Sequence, residues 1–235
     1  MTPLRLQLNG FIGVRDGLGR DSIELDLEAL DGQLIALAGP NGSGKSTILD
    51  NMHPYRIQPS RASSYSPSAF SYYDQVGPEA SKVLEWEHDG VRYRSTLSFK
   101  QTAKTKKQEA YLHSMSQNIG EWVSYTAPDG TVSDGKTATY DACVESILGN
   151  PEIYFTAAFA AQGRKPLSAY TAGTVKGLLS ELLGLGNVQA LSSKAASVVS
   201  GLNTWLDSMR AELARVEEKR IELSRLEDDV PDMVA

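Results

Sequence analysis

Cysteine is almost absent. Cys143 stands alone among 235 residues, so no internal disulfide forms, and with three scattered histidines (His53, His88, His113) no zinc-ligand spacing can be assembled. A lone thiol without neighbouring ligands reads as a small packed hydrophobe. Long apolar runs are missing too: nothing approaches the roughly 20 residues that cross a bilayer. The start, Met1-Thr2-Pro3-Leu4-Arg5, lacks the charged-then-apolar layout of a secretory leader. No membrane partner and a cytoplasmic location are therefore expected. Positive charge is not in excess either. A formal net charge of −6 excludes indiscriminate coating of nucleic acid, although a local basic face can coexist with an acidic total. The apolar share, 41% with 22% charged residues, is that of a globular chain able to bury a sizeable core, as one large domain or a domain with an appendage.

Against these absences, one stretch carries specific chemistry. Gly39-Pro40-Asn41-Gly42-Ser43-Gly44-Lys45-Ser46-Thr47 fits G-x-x-x-x-G-K-[ST] and follows Leu34-Ile35-Ala36-Leu37-Ala38, an apolar run that reads as a buried strand. Glycines let successive backbone N–H groups turn inward around a phosphate chain. Lys45 then neutralises β- and γ-phosphates, and the Ser46 hydroxyl is placed to ligate Mg²⁺. Thr47-Ile48-Leu49-Asp50 opens a helix whose dipole points at the anion. Asn41, Gly42, Ser43, Gly44, Lys45, Ser46 and Thr47 are thus the candidate nucleotide-binding residues, with ATP and Mg²⁺ as ligands.

Around this motif the periodicities change character. Leu4-Arg5-Leu6-Gln7-Leu8 and Ile23-Glu24-Leu25-Asp26-Leu27 alternate with period two and predict an antiparallel pair across a Gly-rich connection. From His53 to Asp74 the composition turns to Ser, Pro, Tyr and Arg, which predicts a long loop of the functional or mobile kind. Two β-prone runs, Val83 to Glu87 and Val91 to Leu97, flank His88-Asp89-Gly90 and predict a hairpin. Short strands are expected at Ala110 to His113 and Trp122 to Tyr125, with a turn at Pro128-Asp129-Gly130. Beyond Asp134 the pattern is helical, with helices expected over Thr139 to Leu148, Thr174 to Leu183, and Val188 to Val230. In the last of these, Leu202, Met209, Val216, Leu223 and Val230 recur every seven residues, as at the root of a coiled coil. A bundle helix fits the same pattern.

Two further constellations flank the loop. No acidic residue lies between Asp89 and Glu109, where Arg92, Arg94, Lys100, Lys104, Lys106 and Lys107 make the most basic segment of an acidic chain. Its tip, Lys100 to Lys107, suits a flexible loop condensing on a nucleic-acid backbone, or else a solvated turn. The second is Asn150 to Arg164, an apolar run that ends abruptly in Gln162-Gly163. A glutamine amide there is a neutral oxygen ligand for Mg²⁺ that can also orient a water, or simply a polar residue closing a buried segment.

The order of these parts resembles, over nearly the whole chain, the N-terminal half of SbcC-type DNA double-strand-break repair ATPases, which are ABC-like and related to the SMC proteins. That resemblance implies an α/β fold: a P-loop ABC-type ATPase lobe with an antiparallel β-subdomain over residues 1–186, and from 187 to 235 a long helix that starts a coiled coil. It implies Lys45 and Gln162 as catalytic residues, Ser46 and Gln162 as Mg²⁺ ligands, and Gln162 as the Q-loop link to movement between lobes. The implied partners are the C-terminal lobe of the same protein, a second head in an ATP-dependent dimer, an SbcD-like nuclease and double-stranded DNA. Leu178-Leu179-Ser180-Glu181-Leu182-Leu183-Gly184 is similar to the family's leucine-rich approach to the coil. Arg164 departs from the acidic or neutral residue usual after Gln-Gly. No apolar run ends in Asp-Glu and no Leu-Ser-Gly-Gly is present, so the chain resembles half of a head. Alternatives are a RecN-, RecF- or SMC-like ATPase without a nuclease, a self-contained P-loop kinase or GTPase, although no Asn-Lys-x-Asp guanine motif is present, and a structural coiled-coil module.

Overall fold

Period-two alternation builds the sheet. In the computed structural model, which describes residues 1–30, 34–116, 118–159 and 167–229, six antiparallel strands run in the order β2-β1-β3-β4-β5-β6. They are β1 (Thr2–Phe11), β2 (Ser22–Asp26), β3 (Val76–His88), β4 (Val91–Gln101), β5 (Lys106–Met115) and β6 (Trp122–Ser124). The expected pairing of the first two strands is present, with Arg5 opposite Asp26. So is the expected hairpin: His88 faces Val91, and Asp89 (φ 49°) and Gly90 (φ 75°) both take the left-handed conformation of a two-residue turn.

One face of this sheet carries Leu6, Leu8, Leu84, Trp86, Leu97, Phe99 and Leu112, all at most 1% exposed. The other face carries charge in register. Asp26, Arg5, Glu85 and Arg94 lie across four adjacent strands, with Arg5 Nη2 3.0 Å from Asp26 Oδ2 and Arg94 Nη2 2.7 Å from Glu85 Oε1. Opposite charges side by side favour this register over a slip.

The apolar face is covered by an irregular segment, the loop expected after His53, but the start of that loop is buried rather than solvated. Between Asp50 and Ser66 there is no helix or strand, yet Asn51, His53, Tyr55, Arg56, Ile57 and Gln58 are buried. Irregular backbone can be buried only if its polar groups find partners. Three side chains supply them: Lys82 Nζ donates to the His53 carbonyl at 2.7 Å, Tyr140 Oη to Pro54 and Tyr72 Oη to Ile57 at 2.5 and 2.8 Å. Arg56 grips Asp141 through two nitrogens, Nε at 2.7 Å from Oδ1 and Nη2 on Oδ2. Composition alone showed Ser, Pro and Tyr; the donors that bury the segment lie far away in sequence.

Helices complete this unit. α1 (Ile12–Leu18) fills the connection between the first two strands, where no helix was expected, and α2 (Lys45–Leu49) is a short turn and a half after the glycine-rich loop. α3 (Thr137–Leu148) sends Tyr140, Cys143 and Val144 into the core, which places the lone thiol where its chemistry predicts. α4 (Pro151–Ala157) starts on Asn150, whose Oδ1 accepts from the Glu152 amide at 2.7 Å, and has proline at its first position. Contacts divide the chain into two compact units, Met1–Tyr170 and Thr171–Ala235. The second contains α5 (Ala172–Leu182) and α6 (Gly186–Asp229). Leu202, Met209, Val216 and Leu223 are 44–64% exposed along α6, an apolar heptad stripe open to solvent. Val230 lies outside the described residues.

One expectation fails outright. Leu34 to Ala38 precedes the glycine-rich loop but joins no strand ladder, and Leu34, Ile35 and Leu37 are 101%, 44% and 38% exposed. The run has strand composition, but among the described residues it pairs with none of the six strands, although Thr2, Pro3 and Leu4 of β1 line the same cleft as Ile35 and Leu37.

Candidate nucleotide site

The glycine-rich loop turns on two left-handed residues, Gly42 (φ 82°) and Gly44 (φ 83°), a backbone that side-chain-bearing residues rarely adopt. Asn41, Gly42 and Ser46 are exposed and Ser43, Gly44 and Lys45 partly so, and the Ser43 amide is held within the turn by the Pro40 carbonyl at 3.3 Å. Lys45 folds back on the loop. Its Nζ lies 2.7 Å from the Gly39 carbonyl, 2.6 Å from that of Pro40 and 3.4 Å from Ser43 Oγ. These are neutral acceptors, so an anionic phosphate would compete for the same ammonium with stronger, charge-assisted bonds. Of the seven candidate residues only Thr47 is buried, at 3%. Lys45 and Ser46 form one wall of a 710 Å³ cleft otherwise lined mainly by apolar groups, among them Leu4, Leu27, Ile35, Leu37, Leu49 and Met52.

Thr47 is held by partners that carry no motif of their own. Its Oγ1 lies 3.4 Å from Arg61 Nη2, and Arg61 Nη1 donates to Gln75 Oε1. The Gln75 carbonyl in turn accepts from the Ile12 amide at 3.0 Å, at the start of α1. Nothing in the sequence neighbourhood of Arg61 could have placed it beside the loop. For α1 a signal existed: Gly13 and Gly17, four apart, share one face of a helix.

Below the loop sits a group of buried ionisable side chains. Lys82 occupies a core-facing position of β3 and is fully buried, which pushes its ammonium down to about 7, against the pull of the Asp50 carboxylate. Burial raises Asp50 above the usual carboxylate range, opposed by bonds from the Ser60 hydroxyl and amide. The His53 ring packs edge-on against Phe155 and Phe159, with centroids 4.7 and 5.2 Å apart. Among the described residues neither of its nitrogens has a hydrogen bond of acceptable geometry. Burial, then Lys82, holds it neutral, well below its ordinary range, with the Asp50 backbone acting weakly the other way.

The basic segment is tighter than expected. Lys100 lies near the end of β4 and Lys106 and Lys107 begin β5, so only Thr102 to Thr105 form the turn, closed by the Thr102 amide on the Thr105 carbonyl at 2.8 Å. Most of its cations have partners: Arg92 meets Glu28, Arg94 meets Glu85 and lies 4.2 Å over Trp122, Lys100 meets Glu79 at 3.7 Å, Lys107 meets Glu109 at 2.7 Å and Lys106 lies 5.1 Å over Tyr73. Lys104 stands exposed on the turn. Gln162 lies outside the described residues, as do Gly163 and Arg164; the chain before them is described as far as Phe159, which packs on His53. Among the described residues no group of three or more His, Cys, Asp or Glu is placed to hold a metal ion, and no helix is long and apolar enough to cross a membrane.

The fold so defined is a mixed α/β unit, with an antiparallel sheet, a P-loop sequence after its second strand and a long helix in the following unit. Comparison with known proteins agrees with the resemblance read from the motifs. The chain is 29% identical over 218 residues to the SbcC component of the SbcCD nuclease of Deinococcus radiodurans. The match covers 91% of this chain and 22% of that relative, so the chain spans about a fifth of the relative's length. No family model matches it.

Proposed function

We propose that this chain is the ATP-binding N-terminal lobe of an SbcC-like ATPase, which acts with a C-terminal lobe, a second head and an SbcD-like nuclease on DNA ends. The observation that carries this reading is the loop Gly39 to Ser46, exposed or partly so throughout, with left-handed Gly42 and Gly44 ahead of Lys45 and Ser46, in a chain similar over most of its length to an SbcC-type protein. In it, the loop amides and Lys45 would hold the β- and γ-phosphates, Ser46 would give one oxygen to Mg²⁺, and Gln162 would act as a second ligand of the same ion. The bound ion supplies charge neutralisation for phosphoryl transfer. Ser46 and the phosphates would leave room at Mg²⁺ for one or two carboxylates and water, and in this reading the carboxylates come from another lobe. The exposed run Leu34 to Ala38 and the apolar cleft beside it suit the same lobe, whose strands would bury Ile35 and Leu37. α6, with its open heptad stripe, would begin the coiled coil from about residue 187.

Calorimetry tests the site. The chain should bind a non-hydrolysable ATP analogue with Mg²⁺, and Lys45→Ala should lose most of that affinity because the phosphates lose their fixed cation. Equal heats for the two proteins would refute the assignment.

A further inference from the structure

The glycine-rich loop packs on α1, and the two meet backbone to backbone. A methyl group at Gly17 would lie 2.5 Å from the Gly42 carbonyl oxygen, 2.5 Å from the Ser43 carbonyl carbon and 2.6 Å from the Gly44 nitrogen. One at Gly13 would lie 2.2 Å from Thr47 Oγ1, while a methyl at Gly44 would meet the Gly13 carbonyl oxygen at 2.7 Å. All are shorter than carbon side chains tolerate, so the contact is possible only with glycine on both sides. Two glycines among seven residues also make Ile12–Leu18 a poor helix on its own. Local preference therefore does not explain them; the fit against the loop does. The helix is further fixed at its start by the Ile12 amide on the Gln75 carbonyl, and Gln75 holds the Arg61 that reaches Thr47.

We infer that α1 is the positioning element of the phosphate loop, with Gly13 and Gly17 as positioning residues: the Gly17 face holds backbone 42–44 in the conformation that presents its amides to an anion, and the Gly13 face seats Thr47. This rests on the nucleotide-binding role proposed above and adds to it a determinant outside the P-loop motif. Loop and helix act as one body, because a loop that must keep two left-handed residues in place gains rigidity from a neighbour with no side chain to yield.

The test uses the 235-residue chain, a non-hydrolysable ATP analogue with Mg²⁺, and amide hydrogen exchange. Gly17→Ala improves α1 as a helix, so loss of helix cannot explain a loss of binding. The variant should fold, yet bind the analogue about tenfold or more weakly, as overpacking against backbone displaces the loop. Amides of residues 42–46 should lose their nucleotide-dependent protection, while those of Leu6, Leu8, Leu84 and Trp86 in the sheet exchange as in the wild type. Gly13→Ala, which presses on the Thr47 side chain rather than on backbone, should do the same to a smaller degree and serves if Gly17→Ala does not fold. A folded variant that binds like the wild type, or one with a lowered melting temperature and unchanged affinity, overturns the inference and makes α1 mere scaffold. If the wild type itself fails to bind, or binds no better than Lys45→Ala, it is the nucleotide reading that fails.

Discussion

Replacing Lys82 by methionine should change the way stability depends on pH. Lys82 is fully buried on the core face of β3 and sits at about 7 in the folded chain, against 10.5 in the unfolded one. A folded-state value below the unfolded value means that the unfolded chain binds more protons between the two, so stability rises with pH from about 7 to about 10 and is lost as pH falls towards 7. The gap corresponds to roughly 4–5 kcal/mol at most, because each tenfold step is worth about 1.4 kcal/mol. Set against it is the 2.7 Å bond to the His53 carbonyl, an acceptor whose loss costs about 1–3 kcal/mol. At pH 7 the two effects oppose, and Lys82→Met should be as stable as the wild type or more so. Near pH 10 the desolvation penalty has largely gone, only the lost bond remains, and the variant should be the less stable by about 1–3 kcal/mol. His53 works in the same direction at lower pH: held neutral in the fold, it costs stability below its unfolded value of 6.5. The buried tyrosines Tyr72 and Tyr140 act only at higher pH, since burial raises both above 10. Urea unfolding of both proteins at pH 6, 7, 8, 9 and 10 would show the difference. Parallel curves, with a constant offset between variant and wild type, would refute a lysine whose charge is excluded by burial.

Breaking the buried Arg56–Asp141 pair should be costly: Asp141→Ala leaves a guanidinium that is 8% exposed without its carboxylate, and urea unfolding should show a loss of about 3–5 kcal/mol. Neutralising Lys104, Lys106 and Lys107 together should weaken binding to unrelated duplexes alike and flatten the slope of log K against log salt by about one per lost phosphate contact. An unchanged slope would return the hairpin to the solvated turn, and exposed ion pairs such as Lys107–Glu109 are too weak to prevent a switch to phosphate. The chain alone should hydrolyse ATP negligibly; with the remaining lobe supplied in trans, turnover should appear, and Gln162→Ala should lower it more than it lowers nucleotide affinity. Lys45-dependent turnover by the isolated chain, measured as phosphate release, would contradict the half-site reading.

The sheet was legible in the sequence wherever one face is buried, because alternation then writes itself into the residues: Leu6 and Leu8 in β1, Leu84 and Trp86 in β3, Leu97 and Phe99 in β4. The Asp89-Gly90 turn was legible from chemistry that demands positive φ. What escaped was held by distant partners. His53 to Gln58 is the loop its composition indicated, but its burial was not legible, because it rests on Lys82, Tyr72 and Tyr140, none of which neighbours it in sequence. α1 escaped because its two glycines weaken the helical pattern they exist to serve, and their reason lies about thirty residues further along at the loop. The candidate site was legible as a motif, since G-x-x-x-x-G-K-[ST] is a local backbone requirement. Its support by Arg61 and Gln75 was not, because each reaches the loop only through tertiary contact, and for α1 the spacing of Gly13 and Gly17 was the one local sign.

The exposed run Leu34 to Ala38 gives the sharpest conflict between pattern and environment, and its physical sense follows from what a strand needs. Composition favouring a buried strand reflects the surroundings the segment works in, and a fully buried side chain of this kind gains about 1.5–3 kcal/mol over an exposed one. Leu34, Ile35 and Leu37 do not collect that gain in this unit: they pair with none of its described strands, and the cleft beside Ile35 and Leu37 stays open. The loop that follows, however, is already shaped, with its glycines left-handed and α1 seated on it. The left-handed turn of the loop is therefore built into this unit, whereas the segment leading into it lies exposed. Under the proposed function, docking of the second lobe would bury that segment as a strand while bringing carboxylates to Ser46. Completion of the core and completion of the metal site would then be one event, and nucleotide hydrolysis would be confined to the assembled head.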